Sequence, residues 1–213
     1  MRDLIWFSLV NGNPGCYFWN ARGYEVEQFK LAGRIVNGLD LRNWKRVAAP
    51  VAISVDHPWE EDKYYRSPEG LADYQMMGRY AQYFRSAGQA FDFTMSAGAA
   101  GLKSFSPPPS AGPLSVPNGW QAATAQSEAG EGLAYVRNFA GIRNWQIPGK
   151  LNMYLRDRKP APLVVQVKVA GKVTGTATDL DTGEQKAFTV NSEGQVDLGT
   201  SDHDWAMVWK SVK

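Results

Sequence analysis

Paired carboxylates near the N-terminus are the residues most suggestive of chemistry in this chain. Glu25 and Glu27 follow an apolar run that ends at Trp19. Glycoside hydrolysis uses two carboxylates, but these flank the scissile bond about 5–10 Å apart and usually come from different strands. Glu25 and Glu27 begin one predicted helix, so we interpret them as first-turn helix acids or as groups that hydrogen-bond a substrate, not as the acid/base pair.

The residues between that run and the two acids have the types found in sugar sites. Trp19, Asn20 and Arg22 lie at the predicted carboxyl end of a buried strand. An indole ring stacks on a sugar, while an amide and a guanidinium hydrogen-bond its hydroxyls. A structural Trp packed under a loop explains Trp19 about equally well.

Two further clusters invite a metal interpretation. The acids around His57, at 56 and 60–62, follow a predicted strand and could bind a sugar or a cation, although a solvated loop is the more frequent explanation. The stretch 179–183 resembles a calcium loop faintly, but Gly183 is fifth and Val190 is twelfth, whereas an EF-hand needs Gly at six and Glu at twelve. We predict a hairpin turn there, no metal and no cofactor.

Composition narrows the classes of partner. The chain has 213 residues, 23 basic and 21 acidic, with a net charge of +2 and no basic cluster, so we expect no nucleic acid partner. No apolar run reaches the length of a membrane span, and we expect no membrane partner. The N-terminus does not read as a signal peptide. The compartment stays unknown, and a secreted or periplasmic parent remains open.

The elements that would position these residues fall into four predicted segments. Residues 1–48 contain a helix at 2–10, a buried strand at 15–19 and a helix at 25–36. Residues 49–95 read as a strand, a helix and a strand, which is a βαβ unit. Residues 96–131 are rich in Gly, Ala, Ser and Pro and are predicted to be a linker or a long loop. Residues 132–213 contain six or seven short strands, which indicates an antiparallel β-sandwich.

The order of these segments resembles a family of glycoside hydrolases. Residues 4–29, with Tyr17-Phe18-Trp19 and Glu27-Gln28-Phe29, are similar to the last helix and eighth strand of (β/α)8-barrel enzymes, most of all the β-galactosidase family with a trimerisation domain after the barrel. The sequence departs from that family at Asn20, where an Arg is expected, and at Lys30, where a His is expected.

The resemblance implies an α+β chain: the last β/α units of a barrel, a partial flavodoxin-like βαβ unit and a C-terminal antiparallel β-sandwich. It implies a parent that acts on β-linked carbohydrate, with Trp19 stacking on the sugar and Arg22, Glu25 or Glu27 bonding its hydroxyls. In that family the catalytic carboxylates lie on the fourth and seventh barrel strands, so both are expected upstream of Met1 and the chain alone is expected to be inactive.

Two alternatives stay open. One is a non-catalytic carbohydrate-binding or assembly module, in which four tryptophans of the C-terminal half form a stacking platform: Trp120, Trp145, Trp205 and Trp209. Alternation places Trp205, Met207 and Trp209 on one face of a strand, a face that is more often core than platform. The other is a truncated reading frame, which predicts poor solubility or a homo-oligomer unless residues 1–48 pack on the βαβ unit.

Overall fold

The computed structural model describes residues 2–11, 23–47, 51–55, 91–95, 113–146 and 152–212, and for 51–55, 91–95, 141–146 and 152–157 the backbone alone. The described residues form a strand-rich, mostly antiparallel structure with few helices. The helices are α1 (Arg2–Val10) and α2 (Tyr24–Val36), followed by a 3-10 turn at Leu41–Asn43. The strands are β1 (Lys45–Arg46), β2 (Val51–Val55), β3 (Phe91–Met95), β4 (Leu114–Ser115), β5 (Trp120–Gln126), β6 (Gly132–Asn138), β7 (Gly141–Gln146), β8 (Asn152–Asp157), β9 (Ala161–Asp179), β10 (Gln185–Ser201) and β11 (Trp205–Ser211).

The main sheet has the strand order β1-β5-β6-β11-β9-β10, and every pairing in it is antiparallel. The long strand β9 pairs with β10 over most of its length, with β11 through residues 173–179 and with β4 at Gln166 and Val167. Two register shifts in β10, between Asn191 and Glu193 and between Asp197 and Thr200, interrupt the hairpin. Bulges of this kind bend a strand.

Side chains of the main sheet enter two hydrophobic cores, because successive residues of a strand point to opposite faces. Strand β6 contributes Ala134 and Val136 to the first core and Leu133 and Tyr135 to the second. The first core also holds apolar residues from both halves of the β9–β10 hairpin and from β11, among them Leu163, Val165, Val173, Ala177, Leu198 and Met207. The second core lies under the helices and includes Ile5, Trp6, Val10, Ala32 and Trp44.

The predicted fold class is confirmed in its coarse form, since the described residues are strand-rich and compatible with a β-sandwich. The predicted helices at 2–10 and 25–36 correspond to α1 and α2, and the strands predicted at 51–55 and 90–94 form the parallel pair β2–β3. The helix predicted between β2 and β3, and the strand predicted at 15–19, lie outside the described residues. The barrel and flavodoxin-like assignments stay predictions.

The prediction of a linker at 96–131 is wrong for the C-terminal part of that range, because strands β4 and β5 lie there. The small residues of β5 still alternate: Trp120 and Ala122 contact the first core, and Ala123 and Ala125 contact the second. Alanine is frequent in linkers and in tightly packed strands alike, so composition concealed this alternation. Helices α1 and α2, predicted as part of a barrel remnant, share their core with β5, β6 and β11.

Candidate functional site

Two of the five predicted substrate residues lie within the described part of the chain. Glu25 and Glu27 occupy the first turn of α2, as predicted, while Trp19, Asn20 and Arg22 lie outside the described residues, as do the acids around His57. The Nζ of Lys30 donates to Glu27 Oε1 at 2.8 Å, and both side chains are mostly exposed. That hydrogen bond lowers the pKa of Glu27. A glycosidic general acid needs a raised pKa, so Glu27 is unsuited to that role.

A buried polar cluster lies where β9 ends and the first turn of α1 meets the sheet. Its centre is Arg2, whose side chain is 6% exposed, and its other members are Tyr24, Gln28, Asp181 and Asp204; we call this set the Arg2 cluster. Arg2 Nη1 and Nη2 donate to the two carboxylate oxygens of Asp181 at 2.8 and 2.9 Å. Two parallel hydrogen bonds to one carboxylate match the planar guanidinium, so Asp181 fixes the orientation of the Arg2 side chain as well as attracting its charge.

The remaining donors of Arg2 connect three elements of the fold. Its Nε donates to Gln28 Oε1 at 3.0 Å and its Nη2 donates to the hydroxyl of Tyr24 at 2.8 Å, which ties α1 to α2. Nη2 also donates to the carbonyl of Leu180 at 2.9 Å, in the turn after β9. The fully buried Asp204 lies 3.5 Å from Nη1 and also accepts from the backbone N–H of Asn138. One side chain therefore holds both helices to the end of the sheet.

The charges in the Arg2 cluster stabilise one another. Burial works against the charged guanidinium, but the hydrogen bonds and charges of Asp181 outweigh it and raise the pKa of Arg2. Burial likewise opposes ionisation of Asp181, but hydrogen bonds from Arg2 and Arg158 outweigh it and lower the pKa of that carboxyl. Both groups therefore stay charged at neutral pH.

A second polar group connects α1 to β6 beside the Arg2 cluster. Arg137 donates to Asp3 Oδ2 at 2.9 Å, and its guanidinium lies 4.6 Å from the ring centroids of Phe7 and Phe139. The Tyr135 hydroxyl donates to Asp3. Burial, followed by the charges of Asp204 and Asp3, raises the pKa of Tyr135 well above its usual value. The phenol therefore stays protonated as a donor to its carboxylate neighbours.

The carboxylates of Asp179 and Asp181 come close to His203, in a set whose ligand atoms lie within 4.8 Å of one another. Asp179 accepts from the backbone N–H groups of Asp181 and Thr182, and its other oxygen lies 2.7 Å from His203 Nδ1. Both oxygens of Asp181 already bind guanidinium groups, Arg158 Nη2 at 2.6 Å among them. A divalent cation would stand beside these guanidinium charges, so the donor set does not fit a metal. The hairpin turn predicted at 179–183 is confirmed.

A groove of about 350 Å³ lies on the helix side of the main sheet, beside the end of α2. Its floor is formed by β9, β10 and β11, and α2 forms one wall. Its lining includes Arg34, Ile35, Thr174, Thr176, Thr178, Gln185, Val208 and Lys210. No sequence pattern indicates this groove, because its residues come from four elements and share no motif.

The tryptophan platform is wrong for three of its four members. Trp120, Trp205 and Trp209 are 0%, 3% and 0% exposed and belong to the first core. Strand β11, which carries Trp205 and Trp209, is paired on both sides by β6 and β9, and these two rings share the first core with Leu163 and Val165. The side chain of Trp145 lies outside the described residues.

Comparisons with protein-family models, curated proteins and solved structures found no match to this chain. The resemblance to glycoside hydrolases therefore stays a prediction from the sequence, as do a carbohydrate ligand and a homo-oligomer. Within the described residues, no helix has the length and apolar character needed to span a membrane.

Proposed function

We propose that this chain is the C-terminal segment of a glycoside-hydrolase-like protein acting on β-linked carbohydrate. In this proposal the β-rich part is a non-catalytic assembly domain that fastens the last helices of the catalytic part. The observation that carries the proposal is the joint between α1, α2 and the main sheet, which combines the second core with the Arg2 cluster.

This joint has the character of a permanent contact. Trp6 and Val10 of α1 are 1% and 0% exposed, and the Trp6 ring stacks on Tyr135 of β6 with centroids 6.1 Å apart. Buried apolar contact of this kind supplies most of the stabilisation at a domain interface. The Arg2 cluster adds orientation, because its hydrogen bonds form only when α1, α2 and the β9–β10 turn hold one arrangement.

The burial of the tryptophan side chains favours the assembly interpretation over a tryptophan-based lectin. Trp205 and Trp209 lie in the core and leave no stacking face for a sugar. The proposal keeps Trp19, Asn20 and Arg22 as sugar-contacting residues, with Glu25 or Glu27 as hydrogen-bonding groups. The catalytic carboxylates would lie outside this sequence, since Glu25 and Glu27 share one helix turn and cannot flank a glycosidic bond from two strands.

The proposal is tested on the protein as its own cells produce it. An antibody against residues 161–201 would capture it, and the captured material would be assayed with a panel of aryl β-glycosides. We expect β-glycosidase activity that disappears from the lysate on depletion, and no turnover by the purified 213-residue chain. Captured protein without glycosidase activity would refute the glycoside-hydrolase assignment, and turnover by the purified chain would refute the non-catalytic one.

A further inference from the structure

The floor of the groove beside α2 is a polar sheet face. Thr174, Thr176 and Thr178 alternate along β9 and therefore point to the same side of the sheet. Gln185 lies opposite Thr178 on β10, and on β11 Val208 lies opposite Thr176 and Lys210 opposite Thr174. These pairings bring three hydroxyls, an amide and an ammonium group to one surface. The rest of this sheet face, towards β5 and β6, is covered by the helices and is mostly apolar, apart from the buried Gln121 and Arg137.

The charge of the groove is positive. Arg34 lines it from the last turn of α2 and Lys210 lines it from β11, and the described lining contains no carboxylate. The nearby Glu27 accepts a hydrogen bond from Lys30, which offsets its charge, and Glu27 also interacts electrostatically with Arg34. The C-terminus of α2 contributes about half a negative charge. Two full positive charges outweigh that half charge, so the groove favours an anion.

The shape and the remaining lining indicate what kind of anion fits. Ile35 and Val208 give the groove an apolar side, while the hydroxyls and the Gln185 amide can both donate and accept. A sugar ring has a C–H face and a hydroxyl rim that match these two surfaces. The volume of about 350 Å³ lies at the small end of the range for ligand sites, which suits a short oligosaccharide.

We propose that the groove between α2 and strands β9–β11 binds an acidic sugar, with the carboxylate of a uronic acid held between Arg34 and Lys210. The assignment of the ligand as a carbohydrate rests on the proposed function, whereas the negative charge of the ligand is inferred from the groove lining alone. The threonine hydroxyls and Gln185 bind the ring hydroxyls, and Val208 contacts the C–H face.

Calorimetric titration of the full 213-residue chain tests the proposal with matched oligomers. The probes are β-1,4-linked mannuronate and glucuronate tetramers, and the neutral counterparts are mannotetraose and cellotetraose. We expect at least one uronate to bind at least tenfold more tightly than its neutral counterpart, with binding weakened by salt because the charges are near the surface. Threonine methyl resonances should shift at Thr174 and Thr176. Failure of both uronates, or equal binding of the neutral sugars, would overturn the proposal.

Matched substitutions localise the binding. Arg34→Gln combined with Lys210→Gln should weaken uronate binding about tenfold or more, since each removes a charge-assisted hydrogen bond. The control combines Arg42→Gln with Lys45→Gln, two exposed cations outside the groove, and should leave the affinity unchanged. Uronate binding that survives the groove variant would overturn the site. If the captured native protein hydrolyses β-glycosides but binds no uronate, the uronate site is refuted and the proposed function stands. If the chain binds uronate but the captured protein has no glycosidase activity, the proposed function is refuted and the uronate site stands.

Discussion

Replacing Arg2 should separate the helices from the sheet more effectively than any other polar substitution among the described residues of α1. Arg2→Met keeps an unbranched side chain of similar length but removes all the donors that reach Gln28, Tyr24, Leu180 and Asp181. It also leaves the fully buried Asp204 without the cation 3.5 Å away. Breaking a buried pair from one side leaves an uncompensated charge, which is far more costly than losing an exposed pair.

The magnitude follows from what each partner retains. Asp181 keeps Arg158 Nη2 at 2.6 Å and remains partly exposed, so its loss is limited. Asp204 keeps the N–H of Asn138 and the Tyr135 hydroxyl 3.3 Å away but is fully buried, so most of the destabilisation falls there. Removal of one partner of a buried pair typically lowers the free energy of unfolding by about 3–5 kcal/mol, and we expect about 3 kcal/mol.

Urea unfolding followed by tryptophan fluorescence measures this loss, because Trp6 lies at the joint itself. The matched control is Arg42→Met, whose exposed guanidinium pairs with the exposed Asp40, and it should leave the free energy of unfolding nearly unchanged. A double-mutant cycle of Arg2→Met with Asp204→Asn should reveal coupling of about 1 kcal/mol or more. A loss below about 1 kcal/mol for Arg2→Met, or additive single effects, would refute a joint centred on Arg2.

Three further predictions test the packing and the charges. A Cβ at Gly132 would lie 1.8 Å from Trp209 Cζ2, so Gly132→Ala should destabilise the protein by about 1–3 kcal/mol or more in thermal unfolding. The control is Gly33→Ala in α2, where a Cβ meets open space, and it should stabilise the protein by about 0.5–1 kcal/mol. The hydrogen bond to Asp179 raises the pKa of His203 above 6.5, so its contribution to stability is present below pH 6.5 and is lost as the pH rises through the folded value; His203→Gln should flatten that slope in pH-dependent unfolding. Iodide should quench Trp205 and Trp209 weakly, with or without glycans, and glycan-dependent quenching would contradict their place in the core.

The local elements were readable from the sequence because periodicity carries the signal. The spacing of Val26, Phe29, Ala32 and Val36 predicts one apolar face along α2; the last three contact the second core, whereas Val26 is exposed. Trp205, Met207 and Trp209 alternate along β11, and the structure confirms that they share one core-facing side. The predicted strands at 163–169 and 174–180 instead form one strand, β9, because Gly171 at φ +78° lets the chain pass between two pairing partners without ending the strand.

The polar joint was not readable in the same way. Arg2 and Asp3 stand out as charges in an otherwise apolar helix, which signals a buried partner or an exposed face but does not say which. Their partners lie 179 and 134 positions away in the chain, and no local pattern encodes that pairing. A hairpin turn explains Asp181 without Arg2, so no sequence pattern connects the two residues.

The arrangement of the two polar regions argues that they have separate tasks. The Arg2 cluster is saturated: its cation and both oxygens of Asp181 already have partners in the fold, and a ligand would have to displace them. The groove presents the opposite case, since Arg34 and Lys210 line it without an ion pair to any described residue, beside hydroxyls on an open sheet face. Satisfied buried charges fix one geometry, whereas cations left facing a groove remain available to bind an anion.

The two regions also lie at opposite ends of α2, which joins the cluster through Tyr24 and Gln28 and the groove through Arg34. Loss of the Arg2 cluster should therefore weaken uronate binding by loosening α2, while loss of Arg34 should leave the free energy of unfolding nearly unchanged.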